Sequence, residues 1–216
     1  MRTLAQVTAE PVSRQERKQR TRQALLDAAL ELLAERAFAN LSLREVAKRA
    51  GIVPTAFYRH FASMDELGVA LVEESMRTLR RMIRSARSNP RTYTHIIRAS
   101  VRTLHEHVRA HVDHFRFLTR ERYSGSGPVQ RAIAIELKLF SSDLAVDLAR
   151  FEHLREWNTD DLHMMADLIV TAMLSTVVEL IEALPHDEET DALIVKTAEK
   201  RLRLIFLGVP NWRVVR

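Results

Sequence analysis

A chain of 216 residues, 46% of them hydrophobic, can bury a substantial core, so disorder is not its default. With 5 Gly and 6 Pro it does not suit a turn-rich β fold; with no cysteine it has neither disulfides nor thiolate metal sites, and it fits a reducing cytoplasm. The net charge of +5 is unevenly placed: residues 1–91 hold 17 Lys+Arg against 10 Asp+Glu, and residues 92–216 hold 16 against 18. A positive excess confined to one part of a chain is the electrostatic footprint of a nucleic-acid binder with a near-neutral second domain.

Residues 1–16, with Pro11 and small polar side chains, read as a mobile basic arm, and residues 1–20 lack the apolar run of a signal peptide. From about Arg17 to Arg36, Leu25, Leu26, Ala29, Leu32 and Leu33 recur on one helical face. The first turns of that helix are basic, with Arg17, Lys18, Arg20 and Arg22 following Arg14. Such side chains lie along phosphates or enter a minor groove and add affinity with little sequence information. A solvated charged face is the plainer use of the same residues.

Between Ser42 and Phe61 the pattern becomes two short helices with a tight turn between them. Leu43, Val46, Ala47 and Ala50 hold the three-and-four spacing of an inward face, and Ser42 with Glu45 forms a capping box. Gly51 suits a left-handed exit from the first helix, and Pro54 suits the first turn of the second, where no hydrogen bond is lost. Phe57 and Phe61 anchor the second helix to a core, leaving Thr55, Ala56, Tyr58, Arg59 and His60 for contact. This is a helix-turn-helix whose second helix offers small and polar groups to bases and phosphates.

Ser63 with Glu66 forms another capping box and opens a long helix from Met64 towards Arg87, with Leu67, Leu71, Leu79, Met82 and Ile83 available for burial. The segment 88–91 ends it, because the residue before Pro90 resists the helical conformation. Four or five further helices follow, at roughly 92–110, 112–123, 128–153, 159–184 and 188–206. The helix at 159–184 is apolar around most of its circumference and must be buried on several sides, while Asp167, Glu179 and Glu182 argue against a membrane span. The last helix carries Ala192, Val195, Ala198, Leu202 and Ile205 along one stripe. These two helices suit a four-helix interface between identical subunits. The expected fold is all-α: a helix-turn-helix domain at 17–63, a connecting helix at 64–90 and a second domain at 91–216.

Residues 17–65, above all LSLREVAKRAGIVPTAFYRHFASMDEL, closely resemble the TetR family of bacterial transcriptional regulators. The resemblance implies a non-enzymatic homodimer with an N-terminal three-helix head and a larger C-terminal helical ligand-binding and dimerisation domain. It also implies a palindromic double-stranded operator as partner. A narrower resemblance is carried by FANLSLREVAKRAGIVPTAFYRHFASMDELGVALVEES and by FRFLTRER. Both stretches look like the TetR-type regulators of unsaturated fatty acid synthesis and fatty-acid desaturation, which sense long-chain acyl-CoA or acyl-carrier thioesters. That implies long-chain acyl-CoA as the effector, with no resident cofactor.

By position in the family, Ser42 and Arg44 would contact phosphates, Arg44 with a base as its other option. Thr55 and Ala56 would face bases, a methyl of either packing on thymine. Tyr58 and His60 would reach phosphates, and Arg59 either. The family often has Lys just after this helix where this chain has Ser63-Met64, so one expected phosphate contact is missing and Arg17, Lys18 and Arg20 stand to compensate.

An acyl thioester needs an apolar tunnel with basic groups at its mouth. The apolar candidates are Ile96, Ile97, Val101, Leu104, Phe115, Leu118, Ile133, Leu137, Phe140, Met165, Ile169 and Met173, each of which also suits an ordinary core position. The basic candidates Arg98, Arg102, Arg116, Arg120 and Arg122 suit a solvated helix face equally well. His107, His111 and His114 would share a face if one helix ran through them, but a break near 111 is expected to scatter them, and no metal is expected. Catalytic signatures are missing: there is no G-x-S-x-G elbow, P-loop, H-E-x-x-H or dinucleotide fingerprint, and Asp160-Asp161 and Glu73-Glu74 read as helix-end and solvated acids. A TetR-type regulator answering another small amphiphile or a drug shares every one of these features.

Overall fold

The computed structural model describes residues 13–87, 93–125, 127–185 and 187–212. Residues 1–12 of the arm expected at 1–16, and the proline break expected at 88–91, lie outside the described residues. Within them the chain is helical, with short 3-10 turns at Phe38–Asn40, Glu152–Leu154 and Val209–Asn211.

Helix α1 (Arg14–Leu33) starts earlier than the apolar pattern indicates, because Ser13 and Glu16 form a reciprocal capping box. Residues 14–16, assigned to the arm from sequence, therefore belong to a helix. The side chain of Ser42 accepts the Glu45 N–H and the Glu45 carboxylate accepts the Ser42 N–H, fixing the start of α2 (Leu43–Arg49). Gly51, at φ +71°, makes the left-handed exit that a side chain would resist. The helix that follows, α3, is shorter than its sequence suggests. It spans Pro54–Phe57, and Tyr58, Arg59 and His60 continue as a turn. Phe57 and Phe61 are fully buried with ring centroids 5.7 Å apart, so the turn is pinned at both ends.

Helix α4 (Met64–Arg87) opens where Ser63 accepts the Glu66 N–H and Glu66 accepts the Ala62 N–H. It runs from the head into the body beside α7 (Gly127–Leu148). Gly68 sits at the crossing: a Cβ there would lie 2.6 Å from the Phe38 ring and 2.8 Å from a Val129 methyl. Only glycine lets the long helix, the 3-10 turn of the head and α7 approach this closely. Further along, Arg80 pairs with Glu136 across the same two helices.

The remaining helices are α5 (Tyr93–Ala110), α6 (Val112–Ser124), α8 (Thr159–Glu182) and α9 (Glu188–Leu207). Helices α4, α5, α9, α8 and α7 neighbour one another in a closed cycle, and α6 crosses its head-facing end. α7 stops at Leu148, short of the expected 153, and Phe151 opens the 3-10 turn that follows. The side chains of Asn158 and Asp187 cap α8 and α9, with Asp160, Asp161, Glu188 and Glu189 in the first turns, where negative charge complements the helix dipole. In length and mean hydropathy, 1.8 over its most apolar window, α8 matches a membrane span. It packs instead against α5, α6, α7 and α9. A buried polar tie joins α5 to α9: Asp191 accepts from Arg109 and pairs with His105 at 2.8 Å, while Arg109 also donates to the Leu180 carbonyl at 2.9 Å. Burial works against ionisation of Asp191, and the hydrogen bonds from Arg109 and His105 outweigh it, holding its carboxyl below the usual carboxylate range.

Candidate nucleic-acid interface and internal cavity

The head leaves most of the residues that sequence assigned to DNA accessible. Ser42, Arg44, Thr55, Tyr58 and Arg59 are exposed, Tyr58 at 64%, and Ala56 and His60 are half-buried beside them. Arg17, Lys18 and Arg20 are exposed along the first turns of α1. The two basic sets face one another: burial, then the positive charges of Lys18, Arg22 and Arg59, push the His60 imidazole below its ordinary range. Nδ1 of His60 is shielded from solvent and has no hydrogen-bond partner among the described residues. Arg22, read from sequence among the basic first turns of α1, lies with its guanidinium carbon 4.6 Å from the Phe61 ring centroid. That cation–π contact ties the basic start of α1 to the end of the recognition turn. Phe57, needed inside, is fully buried.

Inside the helical cycle lies a cavity of about 960 Å³, at the upper end of what small-molecule sites occupy. Its lining includes Ile96, Ile97, Leu104, Phe115, Leu118, Ile133, Leu137, Phe140, Ile169 and Met173. Arg122 is at its edge, stacked 5.3 Å from the ring centroid of Tyr123, which is itself exposed. Val101 and Met165 do not reach the cavity. Both are buried in the core cluster with Leu148, Leu154, Leu162 and Ala198, where helix packing claims their inward faces. Arg116 and Arg120 do not reach it either: Arg116 pairs with Asp113 at 2.8 Å, and Arg120 donates to the Arg36 carbonyl at 2.8 Å. Arg98 and Arg102 lie on the outer surface of α5, near Glu199 and Glu106. Helix α4 adds lining in Leu79 and Ile83, which sequence analysis left as plain core, and in Met76, which it did not single out. At the rim, Arg84 pairs with Asp143 at 2.7 Å and Arg150 with Asp147 at 3.4 Å.

A model of bacterial regulatory proteins of the tetR family matches residues 25–71, and one of tetracyclin repressor-like C-terminal domains matches residues 93–205, more than half of the chain. The chain belongs to the TetR family. It is a DNA-binding transcriptional regulator and not an enzyme. Among solved structures it resembles a transcriptional regulator from Pseudomonas aeruginosa PAO1, with TM-score 0.73, 18% identity, and coverage of 94% of this chain and 99% of that one. It also resembles the fatty acid degradation regulator FadR from Bacillus halodurans, with TM-score 0.71, 18% identity, and coverage of 84% and 94%. FadR from Bacillus subtilis, solved in complex with stearoyl-CoA, gives TM-score 0.69 at 18% identity, with coverage of 86% and 98%.

In this TetR-family chain one helix touches both sites. Phe115, Leu118, Thr119 and Arg122 of α6 line the cavity. Phe117, Arg120 and Glu121 of the same helix hold the head. The Phe117 ring packs 6.0 Å from Phe38, Arg120 donates to the Arg36 carbonyl, and the Glu121 carboxylate accepts the Phe38 N–H at 3.1 Å. Glu121 is 1% exposed, and a buried glutamate facing backbone was not legible from helical spacing.

The helix break at Ala110 and His111 does not scatter the histidines. Their rings form a row, His107 to His111 at 4.5 Å and His111 to His114 at 5.6 Å. Among the described residues no group of three His, Cys, Asp or Glu side chains is arranged to hold a metal ion. Burial, then the neighbouring His111 and His114, push His107 down to about 4 from an ordinary 6.5. The unfolded chain therefore binds a proton below pH 6.5 that the folded chain refuses until about pH 4. The contribution is complete above pH 6.5 and is lost as pH falls, at up to about 1.4 kcal/mol per pH unit. Denaturation midpoints measured from pH 7.5 to 4.5 should fall below 6.5, and His107→Leu should reduce that slope, leaving the parts due to His114 and His60, which are also shifted down.

Proposed function

We propose that this regulator represses genes of fatty-acid desaturation or unsaturated fatty acid synthesis and senses long-chain saturated against unsaturated acyl-CoA. The observation that carries the proposal is the large apolar cavity that shares α6 with the DNA-binding head. An acyl chain buries well in such a lining, at about 0.8 kcal/mol per methylene. The binding of stearoyl-CoA by the Bacillus subtilis FadR, a regulator of the same fold, supports this class of effector. Arg122, at the edge of the cavity, supplies positive charge where a thioester's polar part would leave it.

The working unit is a homodimer through α8 and α9. Met164 and Leu168 on α8 and Leu193, Leu204 and Leu207 on α9 are exposed, Leu168 at 52% and Leu204 at 68%, which leaves an apolar surface for a second copy. Two heads then read a palindromic operator at half-sites about 34–36 Å apart, or a multiple of it. Ser42, Arg44, Thr55, Ala56, Tyr58, Arg59 and His60 face the major groove and its phosphates, and Arg17, Lys18 and Arg20 add backbone contacts. A straight or a kinked chain displaces α6 differently, and through Glu121 and Arg120 each favours a different head spacing. The ligand shifts DNA affinity by its differential affinity for the two spacings.

The test is fluorescence anisotropy on the chain's own upstream DNA at fixed salt, because phosphate contacts make affinity salt-dependent. Palmitoyl-CoA and palmitoleoyl-CoA, added separately, should shift the apparent affinity unequally. Tight specific binding that ignores both would point to another effector. Asp143 and Asp147 at the rim favour a less anionic amphiphile in that event.

A further inference from the structure

Ser100 lines the cavity from the middle of α5, one turn from Ile96, Ile97 and Leu104 on either side. Its Oγ is shielded from solvent and has no hydrogen-bond partner among the described residues. That sets it apart from four hydroxyls that bond within their own helices. Ser75 donates to the Leu71 carbonyl at 2.8 Å, Thr119 to Phe115 at 2.8 Å, Ser124 to Arg120 at 2.9 Å and Thr176 to Ala172 at 3.1 Å. Each is satisfied by its own helix, the usual fate of a hydroxyl there. A shielded hydroxyl without such a bond carries a desolvation cost that a partner in the cavity removes. Among the other polar groups of the lining, Ser175 donates to Glu179, Arg84 pairs with Asp143, Arg122 stacks on Tyr123 and Thr171 is exposed.

We propose that Ser100 is the hydrogen-bond anchor for an acceptor oxygen on the effector, so that a carbonyl or hydroxyl oxygen of the bound molecule lies inside the cavity and not at its rim. The proposal rests on the cavity being the effector site. Apolar walls grip a chain without fixing its register, and one buried donor fixes it. An acyl-CoA would then draw its thioester carbonyl inside and leave the rest of its polar part outside. A chain bearing a keto or hydroxyl group would place that substituent at the same point. Acceptor oxygen is the chemistry common to both.

The test compares the wild-type chain with Ser100→Ala in two ligand pairs, read by displacement of anilinonaphthalene sulfonate. Palmitoyl-CoA is set against hexadecyl-CoA, a thioether of the same length without the carbonyl, and 2-tridecanone against tridecane. The anchor predicts that Ser100→Ala weakens the carbonyl-bearing member of a pair roughly tenfold and leaves the carbonyl-free member within about twofold. Discrimination in the CoA pair assigns the oxygen to the thioester, and discrimination in the ketone pair alone assigns it to a chain substituent. If acyl-CoA fails to bind while the ketone pair still discriminates, the acyl-CoA effector is lost and the anchor stands. Equal effects of Ser100→Ala on both members of both pairs overturn the anchor, including a uniform tightening with a raised melting temperature, which marks a merely uncompensated hydroxyl. Binding of none of the four ligands overturns the anchor and the cavity's role together.

Discussion

Replacing both Leu137 and Met173 by Trp should abolish the response to long-chain ligands while leaving DNA binding intact. Both side chains line the cavity and are only partly buried, on the neighbouring helices α7 and α8. A larger ring at such a position grows into open space and not into packed core, which spares the fold the overpacking cost of a true core substitution. The two indoles narrow the middle of the tunnel and displace the chain from it. Excluding about four methylenes forfeits about 3 kcal/mol at about 0.8 kcal/mol each, or more than a hundredfold in ligand affinity. The head is untouched, so operator affinity without ligand should stay within about threefold, a margin under 1 kcal/mol. Calorimetric titration of the ligand beside anisotropy on DNA separates the two quantities. Unchanged ligand affinity in the double variant would place the effector elsewhere on the molecule.

Glu121→Leu should have the opposite signature, keeping ligand affinity and losing its transmission. The carboxylate lines no part of the cavity and is spent on the Phe38 N–H of the head. Leucine fills similar space but leaves that buried N–H without an acceptor, which costs about 1–3 kcal/mol and loosens the joint between α6 and the head. Coupling between two sites usually amounts to about 1–3 kcal/mol, a 5–150-fold change in affinity. In Glu121→Leu the ratio of operator affinities with and without ligand should fall towards one, while ligand titrations reproduce the wild type. Adding Arg120→Ala, which removes the second bond from α6 to the head, should abolish the remainder. A preserved ratio in the double variant would move the coupling to α4, which also joins head and body. This ratio measures the coupling through α6 directly.

The local features of the fold were written in local residues. The capping box at Ser42, the side-chain cap at Ser63, the left-handed Gly51 and the first-turn Pro54 each depend on neighbours within four positions, and each could be found by spacing alone. Ser13 and Glu16 form a box of the same kind, and it was missed because no apolar pattern begins beside it. The short recognition helix was over-extended for a related reason. Phe57 and Phe61 keep helical spacing, yet the chain between them turns.

What sequence could not supply were contacts between distant segments. Gly68 looks like a flaw in a long helix until Phe38 and Val129 are seen against it. Arg120 read as a cavity-mouth or solvated-face arginine and Glu121 was not singled out, yet both bond to the head. Apolar spacing marked Val101, Leu104, Met165 and Ile169 alike as inward, but only helix crossing decides which inward side chains meet neighbours and which meet empty space. The same limit hid Met76, Leu79 and Ile83, because a connecting helix is read as a strut and not as a wall.

If acyl chain shape sets the separation of the two heads, that separation must differ between a saturated and an unsaturated ligand. The chain has no cysteine, so a single Ala62→Cys substitution, at an exposed residue just after the recognition turn, carries one spin label per subunit without further engineering. Double electron–electron resonance on the labelled dimer would then measure the head-to-head distance with no ligand, with palmitoyl-CoA and with palmitoleoyl-CoA. Two distance distributions that differ between the saturated and the unsaturated ligand, one of them matching the operator-bound dimer, are the predicted result. A single distribution common to all three conditions would contradict it.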